Sequence, residues 1–169
     1  MLVYHPAFDL YNCIFRMLQL LSYSKEDEIH IDKLRIWDFY TTFPNLVREM
    51  SFPSDLKHLK DNIFKEKSNP YEEITDQKQI FERMKTYQLS AIKCLASYGF
   101  VDSKLLSKNK VKKTGKEIPE ALLAKLNDLA NQKGNVIKLV TSDLVNLPLF
   151  GEKGWKARTG LLEFKYDPR

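Results

Sequence analysis

Residues 7–21 read AFDLYNCIFRMLQLL, and no other stretch constrains the chain as tightly. Phe8, Tyr11, Ile14/Phe15, Leu18 and Leu21 recur at three- and four-residue intervals. Leu10, Cys13, Met17 and Leu20 fill much of the opposite side. The spacing predicts a helix, and Pro6 opens it at a position where the missing N–H has no intrahelical partner. A helix that is apolar on nearly every side must be covered on more than one side. The cover is either the remainder of the same domain or a partner chain. Asp9 and Arg16 interrupt the run, which is also too short to cross a bilayer. It lacks the basic start and small-residue cleavage site of a secretory signal, so a cytoplasmic location is expected.

The remainder of the chain is long enough to supply that cover. Its 169 residues are 43% hydrophobic and 12% aromatic, which suits one domain that needs no metal or disulfide to hold it. Cys13 and Cys94 stand far apart in apolar runs and read as small buried hydrophobes. With His5, His30 and His58 they form no metal-ligand spacing, and no cofactor is expected.

Ile29 and Ile31 alternate with His30 and Asp32, which predicts a short strand. Asp32 then caps a helix over 33–41. Pro44 interrupts it, and Ser54 caps a further helix over 55–67 that ends at Asn69-Pro70. Two helices follow, one from Thr75 or Asp76 to Met84 or Tyr87, the other over 89–98 with Gly99 as its left-handed stop. Phe100-Val101 and the lysine-flanked Val111 predict a two-stranded β-ribbon. Pro119 opens an amphipathic helix that Gly134 should end, residues 136–145 fit strand or helix, and the tail 155–169 reads as a strand or extended arm. The expected fold is mainly α (α+β), one winged-helix-like domain over 1–169. Its helical insertion lies at about 44–75, its wing at about 99–114, and its C-terminal helix and tail at 119–169.

No phosphate-cradling glycine pattern or G-x-S-x-G elbow is present. Glu72, Glu73 and Asp76, like Glu26, Asp27 and Glu28, lie in polar loops with no histidine positioned to work with them. A non-enzymatic role is expected. Lys104, Lys108, Lys110, Lys112, Lys113 and Lys116 crowd thirteen residues with no acid among them. They are candidate nucleic-acid contacts, since a cationic wing neutralises phosphates. A solvated loop or a contact with an acidic protein fits the same residues. In the preceding helix only Gln88 and Lys93 are of the types that usually read bases. Trp155, Lys156, Arg158, Phe164 and Tyr166 either pack or anchor a partner, as aromatic and Arg side chains do at interface centres. A net charge of +5 permits an acidic partner without requiring one.

Tyr4-His5-Pro6-Ala7-Phe8-Asp9, Cys13-Ile14-Phe15-Arg16 and the run from Ile31 through Trp37-Asp38-Phe39-Tyr40 to Phe43-Pro44 carry a resemblance. So do Tyr98-Gly99-Phe100 and Lys113-Thr114-Gly115-Lys116. Together they resemble the middle component of bacterial ABC-three-component systems, the Lamassu-type anti-phage and anti-plasmid defence operons. The resemblance implies a small non-catalytic adaptor, winged-helix-like, between an SMC-like ABC ATPase that senses DNA and an effector, often a nuclease. It implies that the adaptor helps hold the effector inactive until sensing, with no membrane partner and with DNA reached through the complex. On that view Phe8, Tyr11, Phe15, Trp37, Phe39 and Tyr40 divide between core and interface, with Trp155 and Arg158 as further partner-binding candidates. A free-standing winged-helix DNA-binding regulator is the alternative.

Overall fold

In the computed structural model, residues 4–63 and 76–167 are described. Helix α1 spans Leu10–Tyr23, shorter than expected at its start. Asp9 breaks the run: its carboxylate accepts the Asn12 N–H at 2.9 Å and caps α1. Pro6–Phe8 form a separate 3-10 turn, closed by His5 Nδ1 accepting from the Ala7 N–H at 3.1 Å. Strand β1, Glu28–His30, leads directly into α2, Ile31–Thr42. The cap of α2 is His30 rather than Asp32, with Nδ1 accepting the Asp32 N–H at 3.1 Å. Asp32 occupies the first turn instead, where its charge favours the helix N-terminus.

Helix α3, Lys57–Ile63, starts after a 3-10 turn, and the remainder of the expected 55–67 helix lies outside the described residues. Helix α4 is continuous from Gln77 to Ser97, where a break near residue 88 was expected. Gln88 is a polar residue inside an apolar pattern, and it is buried and bonded rather than a terminator. Gly99 ends the helix with φ +82°, as its sequence position predicts.

One helical turn follows, α5 (Ser103–Leu106), where a simple ribbon was expected. Strand β2, Lys110–Lys112, pairs antiparallel with β1 in the register Glu28↔Lys112, Ile29↔Val111, His30↔Lys110. Val101 reaches the sheet only through an isolated bridge to Lys113. The spatial order is therefore β1, β2, Val101, and Ile29, Val111 and Val101 are all buried.

Helix α6 runs from Glu120 to Lys138, straight through Gly134. A mid-helix glycine costs about 1 kcal/mol, and Val136, Ile137, Leu139 and Val140 bury beyond it and outweigh that cost. Leu139–Asp143 close the segment as a π-turn. The expected strand or arm at 155 is instead a short helix, α7, Trp155–Thr159, stopped by Gly160 at φ +67°. A Cβ at Gly154 would collide with the carbonyls of Leu149 and Phe150, which is how Trp155 turns into the core.

The core lies where α1, α2 and α4 meet, with α6 closing one side of α1 and α2. Trp37 meets Trp155 edge-on at 6.4 Å, and Phe39 meets Phe81 at 5.9 Å. Among the described residues no helix is long and apolar enough to cross a membrane.

Candidate partner interface

Burial separates the aromatic candidates into two groups. Trp37, Phe39, Tyr40 and Trp155 are each at most 1% exposed and form the centre of the core. They are packing residues in this chain. Tyr11 is 69% exposed, and Phe8 and Phe15 are half-buried at the core's edge. Tyr11 stacks edge-on with Phe15 at 5.1 Å. Lys125 of α6 lies 4.9 Å from the Phe15 ring centroid, and Arg83 of α4 lies 4.4 Å over Phe8. Tyr4 and Leu10, which were not among the expected partner-binding residues, extend the same exposed end of α1. The Tyr4 hydroxyl accepts from the Asn12 side-chain amide. The N-terminal half of α1 therefore presents an aromatic surface edged by cations.

A buried polar cluster sets that surface in place. Arg16 of α1 donates from Nε to Asp38 Oδ1 at 2.6 Å and from Nη2 to Oδ2 at 3.2 Å. Its Nη1 donates to the Pro6 carbonyl at 2.9 Å, which ties the 3-10 turn to the helix. Gln88 of α4 donates to Asp38 Oδ2 at 2.9 Å and accepts from Arg35 Nε at 3.0 Å. Arg35 also pairs with Asp32 at 3.0 Å and lies over the Phe81 ring at 4.4 Å. Asp38 is fully buried, and its removal would strand Arg16 in the interior. Burial, with Asp38 beside it, pushes the Cys13 thiol up and favours its protonated form.

The lysine-rich segment separates in a similar way. Lys110 pairs with Glu28 at 3.3 Å and Lys112 with Asp27 at 3.0 Å, both across the β1–β2 ladder. Lys116 donates to the Tyr98 carbonyl at 2.5 Å and lies 4.8 Å over Phe100. Lys104, Lys108 and Lys113 are exposed, with no side-chain hydrogen bond or ion pair among the described residues. The pairing acids escaped the sequence reading because they lie on the other strand, far back in the chain. Gln88, one of two candidate base readers, is committed to the core.

In the tail, Arg158 bonds within the chain: Nε donates to the Lys153 carbonyl at 2.6 Å and Nη1 to the Ser51 carbonyl at 3.1 Å. Lys156 pairs with Asp167 at 3.0 Å in a nearly buried bridge. Phe164 and Tyr166 project outward, Tyr166 at 89% exposure.

Among the described residues no group of three or more His, Cys, Asp or Glu side chains is placed to hold a metal ion. A shallow groove of about 520 Å³ lies between Ser22, Leu123 and the 113–118 turn, with no converging titratable groups beyond Lys113, Lys116 and Glu117. Neither the curated proteins nor the solved structures contain a match to this chain. A family model does, over residues 2–167, and its description is ABC-three component (ABC-3C) system Middle Component 5. The match covers nearly the whole chain, so this protein belongs to the ABC-three-component system middle component 5 family, which suggests an adaptor role among partner subunits of a defence system.

Proposed function

We propose that this chain is a non-catalytic adaptor of a Lamassu-type anti-phage or anti-plasmid complex, held between an SMC-like ABC ATPase and an effector nuclease. It helps keep the effector inactive until the ATPase senses DNA. Tyr11, Phe15 and Phe8 face a partner subunit, while Trp37, Phe39, Tyr40 and Trp155 hold the surface that presents them. The observation that carries this reading is the exposed aromatic end of α1 in a member of a middle-component family. Aromatic side chains edged by Arg and Lys are the residue types that concentrate binding energy at interface centres. Expressing the whole operon with a tag on this subunit tests the proposal. The expected result is stoichiometric recovery of two further subunits and loss of defence when this gene is deleted. Recovery of the chain alone, with defence intact after deletion, contradicts it.

A second reading, a free-standing winged-helix DNA-binding regulator, draws support from one observation. The order α1, β1, α2, α4, then Val101 and β2, with β2 between β1 and Val101 in the sheet, is the order expected of a winged-helix core. Against sequence-specific binding stands Gln88, which is buried among Arg35 and Asp38 and reaches no base. A regulator would bind one duplex sequence far better than another.

A further inference from the structure

The lysine segment is split by the fold into paired and unpaired cations, and this split has a chemical consequence. Lys110 and Lys112 form solvent-exposed ion pairs with Glu28 and Asp27, and Lys116 is drawn back onto Tyr98 and Phe100. Lys104, at the start of the α5 turn, Lys108, beside Asn109 in its left-handed turn, and Lys113, just past β2, keep their full charge toward solvent. Beyond the buried Gln88, the last turns of α4 offer Lys93 as their one side chain of a base-reading type. A surface with free ammonium groups and almost no planar hydrogen-bonding side chains recognises phosphates and not base edges.

From this geometry we infer a sequence-independent contact site for the phosphodiester backbone of duplex DNA at Lys104, Lys108 and Lys113, whose strength Asp27 and Glu28 hold down by occupying Lys110 and Lys112. The site goes beyond the adaptor role and does not depend on which subunits flank the chain. Three contacts alone bind weakly, so the site acts as an added foothold when the chain is tethered near DNA by a larger assembly. Each phosphate neutralised releases a condensed counterion, so the free lysines set the salt dependence.

The test is fluorescence anisotropy of the full-length chain with a 30-base-pair duplex of arbitrary sequence, from 50 to 150 mM salt. Three contacts give a slope of about −2.7 in log K against log salt, a loss of about 20-fold over that range. The variant K104Q/K108Q/K113Q flattens the slope toward zero and abolishes binding at 150 mM. The variant D27N/E28Q frees Lys110 and Lys112, tightens binding and steepens the slope toward about −4.5. Circular dichroism melts of both variants confirm that the fold is kept, since all the altered side chains lie at the surface. The site is overturned by any of four results: no binding at 50 mM, a D27N/E28Q variant that binds no better than the parent, a strong preference for one duplex sequence, or a triple variant that keeps DNA but loses an acidic partner subunit.

Discussion

Helices α1 and α2 pack against each other, and their sequences predict the opposite of what each does. α1 is the more apolar, yet its first turns leave Leu10 and Tyr11 in solvent. α2 carries Asp32, Lys33, Arg35 and Asp38, yet every residue from 33 to 41 is buried. The reason is pairing. Asp38 is held by Arg16 and Gln88, Arg35 by Gln88 and Asp32 with its Nη2 left buried and unbonded, and Lys33 by Glu26, so each of these charges on α2 has a partner beside it. α1 has more apolar surface than α2, α4 and α6 together cover, and the most exposed of it, Tyr11 beside Leu10, lies at its start, with Tyr23 less exposed at its end. Charged residues inside and aromatic residues outside are thus two sides of one arrangement: the first fixes the helix angles, the second is what those angles display.

The sharpest way to break this comparison is at Asp38. Asp38→Ala leaves Arg16 buried and unpaired and should cost about 3–5 kcal/mol in urea unfolding. Replacing the pair by apolar residues, Arg16→Met with Asp38→Leu, should recover much of that loss. A double variant no better than the single one would mean that the hydrogen bonds to Gln88 and Pro6, not the stranded charge, carry the effect.

The tail offers the same contrast at nearly the same size. Trp155→Ala opens a cavity beside Trp37 and should cost about 3–5 kcal/mol, whereas Tyr166→Ala should change stability by less than about 0.5 kcal/mol. Equal losses in chemical denaturation would contradict the assignment of one to the core and the other to the surface.

Where β1 meets α2, the effect is smaller and depends on pH. His30 caps α2 through Nδ1, which accepts a hydrogen bond only when that nitrogen is unprotonated. Burial holds its pKa below the usual 6.5, Lys156 adds to that, and Asp32 and Asp167 oppose it. A folded-state pKa below the unfolded one means that the unfolded chain takes up the proton first. Stability contributed by neutral His30 is therefore present above about 6.5 and falls as acid is added through that value. His30→Ala should cost about 1 kcal/mol at pH 7.5 through the lost cap. His30→Asn keeps an acceptor without titrating, so its stability should decline less between pH 7.5 and 5.5 than that of the parent. Parallel declines would remove His30 from the account.

Much of this architecture is legible in the amino-acid order, and the failures share a cause. The strand at 28–30, the stop at Gly99, and helices at α1, α2 and the start of α6 follow from short-range spacing. What was misread depends on partners distant in sequence. Gln88 looks like a break until Asp38 and Arg35 are beside it. Gly134 looks like an end until the core takes up Val136 and Ile137. The six lysines look uniformly free until β1 brings Asp27 and Glu28 alongside. The aromatic candidates are likewise one class by type, and only burial divides Trp37 and Phe39 from Tyr11.

The smallest expected change in stability accompanies the most direct test. Tyr11→Glu places a carboxylate in the first turn of α1, where the helix N-terminus favours it, at a side chain that is mostly in water. Its unfolding free energy should match the parent within about 1 kcal/mol. Tagged and expressed with its whole operon, the variant should lose the partner subunits that the parent retains. Recovery of those subunits at the parental ratio, from an equally folded variant, would contradict the claim that the exposed end of α1 is where this protein meets its neighbours.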